Sequence, residues 1–412
     1  MGDSEQVARH DTVLIIGAGS TGLALAQGLG KAGVKCVVFE KHEAQDARDR
    51  DWNLGLHWGA PVLESLIPPS SWEQIQSVQV DPNTPTKPED TLQFFNAKTG
   101  ELMGGATMAM FYRLRRSKLR ALLAKDVDVR YSKKLSKIEY ADDGSSVTAE
   151  FEDGTSETGR IVVGADGAKS QVRNLLFGER AAPERIPFSA TFVQAKFSRE
   201  QALHLRRQHK LYLAGIHPAG LFAFFGMQDA PDPDRPENWT FFFYISWPSS
   251  IQEQDETADW TNEQRMKQVK EKSRDFADPW KSAFEWIPDN HPCWYHDMSD
   301  WDPARAISDE YPADKHGGKA TIAGDAAHTM TYQRGQGLNH SLTDAKKLTD
   351  AIASFMRGDD YEVQKTAIAE YEKEMVARGG DEVRLSTKNT KMLHDWGMVM
   401  QSPVMTNGMK KS

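Results

Sequence analysis

The chain has 412 residues, 50 of them Lys or Arg and 59 Asp or Glu, for a formal net charge of -9. That length is enough for two domains and a sizeable core, and the acidic balance argues against nucleic acid or an anionic membrane as the main partner. No apolar run reaches the ~18 residues of a membrane span, the polar stretch from Met1 to Asp11 lacks a signal-peptide core, and Cys36 and Cys293 cannot form a disulfide framework, so a soluble protein of a reducing, cytoplasmic compartment is expected.

The first element is Val13-Leu14-Ile15-Ile16, an unbroken apolar run of the kind a doubly covered parallel strand needs. Thr21 to Lys31 follows with helix-forming Ala, Leu and Gln, and between them lies Gly17-Ala18-Gly19-Ser20-Thr21-Gly22. A glycine trio alone is weak evidence. Here strand, turn and helix come in sequence, so Gly17 can make the turn, Gly19 can let the backbone approach a pyrophosphate, and Gly22 can let helix and strand pack. The helix start at Ser20 and Thr21 then offers N–H groups to the phosphates. Lys35 to Glu40 supplies the second strand. Glu40, with Lys41 beside it, falls close to the ~20 residues past the glycines at which a carboxylate binds both ribose hydroxyls of an adenosine. An ADP-binding unit is expected.

Asn53-Leu54-Gly55-Leu56 and His57 then read as a loop, and residues from about Ser70 to Thr107, rich in Pro, Asn, Thr and Gly, as a first insertion. Val127 to Tyr131, Lys137 to Tyr140 and Val147 to Phe151, with a turn at Asp153-Gly154, suggest a β-meander on the nucleotide-binding sheet. A second insertion from about Pro183 to Tyr295 holds the aromatic and β-branched runs Ala190 to Phe197, Lys210 to Leu213, Leu221 to Phe225 and Thr240 to Ile245, which predict one antiparallel sheet.

Lys319 to Gly324 reads as a buried strand with Asp325 just past its end, where ligands of open α/β sheets gather. A carboxylate there can accept hydrogen bonds from ribityl hydroxyls, which a flavin possesses and a nicotinamide dinucleotide lacks, so Asp325 points to FAD. Arg334-Gly335-Gln336-Gly337-Leu338-Asn339 leads into a helix predicted from about Ser341 to Phe355. Its N-terminus would face the flavin and favour an anionic reduced ring. His328 is expected to pack or hydrogen-bond rather than act as a base, since the sequence supplies no orienting carboxylate. Tyr361 to Arg378 predicts a helix ended by Gly379-Gly380, with a final amphipathic piece to Trp396.

The resulting fold is α/β. A Rossmann-like FAD-binding domain is drawn from residues 1–69, 108–182 and 296–356, a substrate-binding domain with an inserted antiparallel sheet from 70–107 and 183–295, and a C-terminal helical segment from 357–412. A planar aromatic substrate would sit between sheet and flavin. Its candidate neighbours are Tyr212, Phe224, Phe242, Tyr244 and Trp247 from the sheet, His57 and Trp58, and Tyr332 and Gln333 beside the flavin; alternation along strands implies that only some of them line it.

The glycine motif, Gly164-Ala165-Asp166-Gly167, Gly324-Asp325-Ala326-Ala327-His328 and Arg116-Ser117-Lys118-Leu119, in this order, resemble the class A flavoprotein monooxygenases, the para-hydroxybenzoate hydroxylase family, and more closely its fungal members that modify secondary metabolites. The resemblance implies that Asp166 and Gly167 serve FAD and the nicotinamide donor, that Arg116 lies against FAD, and that Arg50 or Arg48 stands on the pyrophosphate side. Arg113, Arg115 and Arg120 are expected to form a solvated basic face. It further implies reduction by NADPH or NADH, which the sequence does not tell apart. O2 would then add at flavin C4a, and the distal oxygen of the hydroperoxide would pass to an aromatic, polyketide- or alkaloid-like small molecule. The sequence shows no metal cluster, nucleophile elbow or paired catalytic carboxylates, as suits chemistry carried by a cofactor; His57 and Tyr332 are the candidate catalytic residues. One departure from the family is Thr329-Met330-Thr331-Tyr332-Gln333, where a proline is usual, so the substrate is not inherited from relatives. Epoxidation and Baeyer–Villiger insertion belong to the same chemistry. A reductase or dehydrogenase of this fold and a flavin sensor are the alternatives, whereas Phe284-Glu285-Trp286-Ile287-Pro288 lacks the tryptophan spacing of a halogenase. Oligomeric state is not legible.

Overall fold

The computed structural model describes residues 11–45, 47, 50–308, 313–356, 358 and 360–402. A five-stranded parallel sheet runs in the order β17 (Ala320–Ile322), β11 (Ile161–Gly164), β1 (Val13–Ile16), β2 (Cys36–Phe39), β7 (Val129–Arg130). Val13, Leu14, Ile15, Val162 and Val163 are wholly buried. The helices Ser20–Lys31 and Gly337–Phe355 pack on each other beside this sheet, and the antiparallel sheet of β8 (Leu135–Tyr140), β9 (Val147–Phe151) and β10 (Ser156–Gly159) also contacts it. Val129–Arg130, expected to open a meander, instead pairs in parallel with β2. Its partner lies far away in sequence, so nothing local distinguishes it from a hairpin strand. The turn at Asp153-Gly154 is where expected, with Gly154 at φ +80, and it leads into β10.

The second large element is a seven-stranded sheet in the order β16 (Cys293–Asp300), β12 (Glu184–Ala195), β15 (Thr240–Pro248), β14 (Leu221–Asp229), β13 (Tyr212–His217), β4 (Glu89–Asn96), β5 (Leu102–Ala109). The first insertion thus contributes β4 and β5, strands that its polar, glycine-bearing sequence does not announce. They extend one edge of the sheet, where a weak strand signal is tolerated. Asn53–Leu56, expected as loop, is strand β3 and pairs with β6 (Tyr112–Arg115). Again the partner, not the local pattern, makes the strand.

Cross-strand register sorts the aromatic residues by face. Phe192 stands opposite Tyr244 and Trp294, and Tyr244 opposite Phe224. Two residues along, Phe242 stands opposite Gln194 and Gly226, and Gly226 opposite Tyr212. All of these side chains share one face. Phe241, Phe243 and Trp247 point to the other, where they join a core with Met266, Trp280 and Phe284. Trp247 is therefore removed from the expected substrate pocket by the period of two.

Helix Gly337–Phe355 begins a turn earlier than expected, and helix Tyr361–Leu393 runs straight through Gly379-Gly380. The glycines do not end it. A Cβ on Gly379 would lie 2.8 Å from the His328 ring and one on Gly380 2.7 Å from Asp302 Oδ1. They permit close packing at a cost of about 1 kcal/mol each in helix propensity. Among the described residues no helix is long and apolar enough to cross a membrane.

Candidate functional site

The three motifs meet at the carboxyl ends of the parallel strands. Gly17 takes φ +108, and a Cβ there would lie 2.5 Å from the Ala165 carbonyl oxygen; Gly324 takes φ +62, and a Cβ there would lie 2.4 Å from the Thr21 hydroxyl. The turns touch through positions that admit no side chain. Backbone bonds from Gly17 N to Phe39 O (2.7 Å), Ala165 N to Ile16 O (2.8 Å) and Ala323 N to Gly164 O (2.8 Å) fasten them to the strand ends. By contrast, Cβ positions on Gly167 and Gly335 would meet open space, and those on Gly19 and Gly337 a single atom 3.8 Å away. These open positions form a cradle whose backbone a pyrophosphate and ribityl chain can approach, and the residues around it fit FAD.

Helix Ser20–Lys31 makes its first internal bond from Leu23 N to Gly19 O, so the amides of Ser20, Thr21 and Gly22 have no helical acceptor and can meet a pyrophosphate. Glu40 is buried, its two carboxylate oxygens accepting from Ala18 N (3.0 Å) and His42 N (3.1 Å), and Lys41 beside it is exposed. At the other end, His340 N bonds to Gln336 O, leaving the amides of Gly337, Leu338 and Asn339 as the positive end of a 19-residue helix. The Asn339 side chain is occupied otherwise. Its Oδ1 accepts from His57 N and Gly59 N, and its Nδ2 donates to Gly55 O, so it braces the loop after β3.

Asp166 accepts from Gln171 N (2.6 Å) and Val172 N (3.3 Å) and so holds its own turn, in which Gly167 takes φ +84. Buried Arg173 reaches from the same segment to Ala326 O (3.2 Å) and Thr329 Oγ1 (3.3 Å), tying the second motif to the third. Burial lowers its pKa to about 10. Asp325 opens onto the cradle, yet the surrounding protein raises its carboxyl pKa against the lowering effect of His328, Arg116 and Arg173. Arg116 also lies over the Trp52 ring at 4.4 Å, within electrostatic reach of Asp325. Arg50 is exposed and acts electrostatically on His296; Arg48 lies outside the described residues.

Two expectations need correction. His328 does have an orienting carboxylate, because its Nε2 lies 2.6 Å from Asp344 Oδ2, an oxygen that also accepts from Gly324 N, while Arg378 donates to Asp344 Oδ1 at 2.6 Å. Burial works against charge on the imidazole, but Asp344 raises its pKa all the same. The pair lies beneath the Gly324 turn, fully buried, and supports it. Nor do Arg113 and Arg115 before the helix Arg116–Leu123, or Arg120 within it, form a solvated face. Arg120 is buried and clamps the glycine turn through Ala18 O (2.9 Å) and Gln45 O (3.0 Å), and Arg115 pairs with Asp51 (2.9 Å) and Asp229 (2.6 Å). Arg113 points over the aromatic sheet.

That sheet face is the expected second half of the site. Tyr212, Phe224, Phe242 and Tyr244, all singled out in the sequence, lie together on it with Phe192 and Trp294. Tyr332 from the loop after the third motif meets Phe192 and Tyr244 edge-on, with ring centres 5.2 Å away in each case, and its hydroxyl is buried with no hydrogen-bond partner among the described residues. The Gln333 side chain is engaged by the protein itself, its Nε2 donating to Met298 Sδ and its Oε1 accepting from Thr390. His57 lies 6.1 Å from Phe111, its pKa lowered by burial and by His340, and Trp58 is exposed with its Nε1 bonded to Gln336. The residue missed in the sequence is His296. It lies on β16 two places from Trp294, 5.8 Å from Tyr332 and 6.3 Å from Phe192 between ring centres, and burial lowers its pKa from 6.5. Its signal was the alternation of Trp294, His296 and Met298, a strand pattern that runs past the expected end of the second insertion at Tyr295, since β16 continues the sheet to Asp300.

A family model described as FAD binding domain matches residues 10–52 and 107–385. The chain is 37% identical over 402 residues to the FAD-dependent monooxygenase cctM of Talaromyces islandicus, covering 97% of this chain and 97% of that protein. It is 34% identical over 400 residues to the FAD-dependent monooxygenase phnB of Penicillium herquei, covering 96% and 94%. Among solved structures, Klebsiella pneumoniae HpxO complexed with FAD and uric acid has a TM-score of 0.75 at 17% identity, covering 100% of this chain and 95% of that one, a likeness of fold. With its motifs assembled around one cradle, the chain belongs to the FAD binding domain family and is a class A FAD-dependent monooxygenase.

Proposed function

We propose that the protein takes electrons from NADPH or NADH and inserts one oxygen atom of O2 into a planar aromatic small molecule of fungal secondary metabolism, of polyketide or alkaloid type. The observation that carries this reading is the continuous aromatic face of Phe192, Tyr244, Phe242, Phe224 and Tyr212, with Tyr332 reaching over it from the loop beside Asp325. Bound FAD supplies the redox chemistry, accepting two electrons from the nicotinamide and activating O2 for transfer to an electron-rich carbon. Glu40 and the amides at Ser20 to Gly22 would hold its adenosine and pyrophosphate, Asp325 its ribityl chain, and the amides at Gly337 to Asn339 would favour negative charge on the ring. The aromatic wall excludes water. His296, held neutral by burial, is positioned to accept a proton from a phenolic hydroxyl lying on that wall.

The test is oxygen uptake by the yellow holoprotein with NADPH or NADH and a panel of phenols and quinones in 18O2. Consumption of O2 with one labelled oxygen in the product supports the reading. Reduction of a substrate without labelled oxygen would instead place the protein with the reductases of this fold.

A further inference from the structure

We propose that Arg113 is the seat for a delocalised oxyanion on the substrate, a phenolate, enolate or carboxylate, and this rests on the aromatic face being the substrate chamber. Arg113 stands on β6 and reaches over the sheet, its guanidinium carbon 4.9 Å from the centre of the Phe224 ring and 5.7 Å from that of Tyr212. Among the described residues no carboxylate pairs with it. This is not for want of carboxylates nearby: Arg115 and Lys118, a few residues on, both pair with Asp229, and Arg115 with Asp51 as well. Tyr212, under the guanidinium, has its hydroxyl donating to Asp90 at 3.3 Å.

What Arg113 does touch extends the site. It donates to Asn53 Oδ1, and Asn53 Nδ2 donates in turn to Met227 O (3.0 Å) and Gln228 Oε1 (3.3 Å). Among the described residues this run of hydrogen bonds leaves two buried donors without partners, Arg113 Nε at one end and Gln228 Nε2 at the other. A buried cation lacking a counter-ion and a buried amide lacking an acceptor are both costly, and such a pair is retained where a ligand supplies what is missing. Burial lowers the guanidinium pKa only to about 10, so the group stays charged at neutral pH. Its planar fork suits an oxygen whose negative charge is shared with an aromatic ring or a second oxygen. A phenolate held there carries raised electron density on its ring carbons, which electrophilic oxygen transfer requires.

Binding to the FAD-loaded protein, followed by perturbation of the flavin spectrum, tests this with 2-naphthol, 2-naphthoate and neutral 2-methoxynaphthalene. Wild type is expected to bind one of the two anion-forming probes at least about 10-fold more tightly than the ether. If that probe is naphthol, its ionised absorption band is expected below the pH at which free naphthol ionises. Arg113→Met should lose about 10- to 100-fold in affinity for the preferred probe with little change for the ether, and Arg113→Lys should recover part of the loss. Preference for naphthol identifies a phenolate or enolate substrate, preference for naphthoate a carboxylate. An equal loss of ether and anion in Arg113→Met, or a wild type that binds the ether as well as the anions, would overturn the assignment while leaving the chamber intact. Should Arg113→Met fail to hold FAD, the wild-type preference and Arg113→Lys decide the matter. If none of the three probes perturbs the flavin, the chamber reading falls, and the oxyanion seat with it.

Discussion

The parallel sheet and the seven-stranded sheet prepare their ligands' surroundings by opposite means. Around the parallel sheet the cradle is made of glycines and backbone amides, and its few decisive side chains, Glu40 and Asp325, stand at strand ends with their positions set by turns. On the seven-stranded sheet the groups proposed to face the substrate are whole side chains, aromatic rings with one histidine, and an arginine that reaches over them. A backbone site cannot be altered without altering the fold. A side-chain face can be repopulated residue by residue on an unchanged sheet. This is the physical reason one cofactor site can accompany many substrates.

The comparison breaks first at Gly17. In Gly17→Val a side chain at φ +108 would collide with the Ala165 carbonyl, so the variant should lose FAD and about 3 kcal/mol or more of stability. Flavin absorbance of the purified protein and thermal unfolding measure both, and a fully yellow variant with unchanged melting would refute the backbone account. Next comes Asp344→Asn, which leaves His328 and Arg378 without their shared carboxylate and should cost about 3–5 kcal/mol. Burial opposes ionisation of Asp344, but His328 and Arg378 hold its pKa at about 2. A folded pKa below the unfolded value of about 3.9 stabilises the wild type above pH ~4, and the contribution disappears as pH falls through the folded pKa. Denaturant unfolding from pH 7 to pH 3 should therefore show a shallower acid decline in the variant.

On the sheet side, His296→Asn should keep FAD affinity and stability yet lower kcat/KM about 100-fold with a phenolic substrate. Because burial holds the His296 pKa below 6.5, the base is lost only as pH falls below that value. The acid limb of the wild-type kcat/KM profile should lie under pH 6.5 and vanish in the variant; an unchanged profile would remove His296 from the mechanism. The smallest effect is expected for Gly379→Ala, where crowding against the His328 ring costs about 1–3 kcal/mol and gains about 1 in helix propensity. Thermal unfolding should show a modest net loss, whereas a gain would mean that the contact yields freely.

The FAD half was legible because its signals are local. An apolar run, three glycines and an acid at set spacing specify strand, turn, helix and strand without reference to the rest of the chain, and Val13–Ile16, Ser20–Lys31 and Cys36–Phe39 form as read. The aromatic runs of β12 to β15 were legible for the same reason, though not their neighbours. β4 and β5 carry too many polar and small residues to announce themselves, and β7 is recognisable only by its partner.

Charged and polar residues were read least well. Arg113, Arg115 and Arg120 look alike in sequence, yet one lies over aromatic rings, one pairs with two carboxylates and one grips a glycine turn. The partner of His328 lies on the next helix, and Gly379-Gly380 packs where a helix end was expected. The sequence by itself determined the cofactor, the order of the cofactor motifs and the aromatic character of the opposing sheet. The tertiary structure alone decided which face each aromatic presents and which cation goes without a carboxylate. Local pattern dictates backbone conformation, but the state of a charged side chain depends on burial and on partners brought close only when distant segments pack.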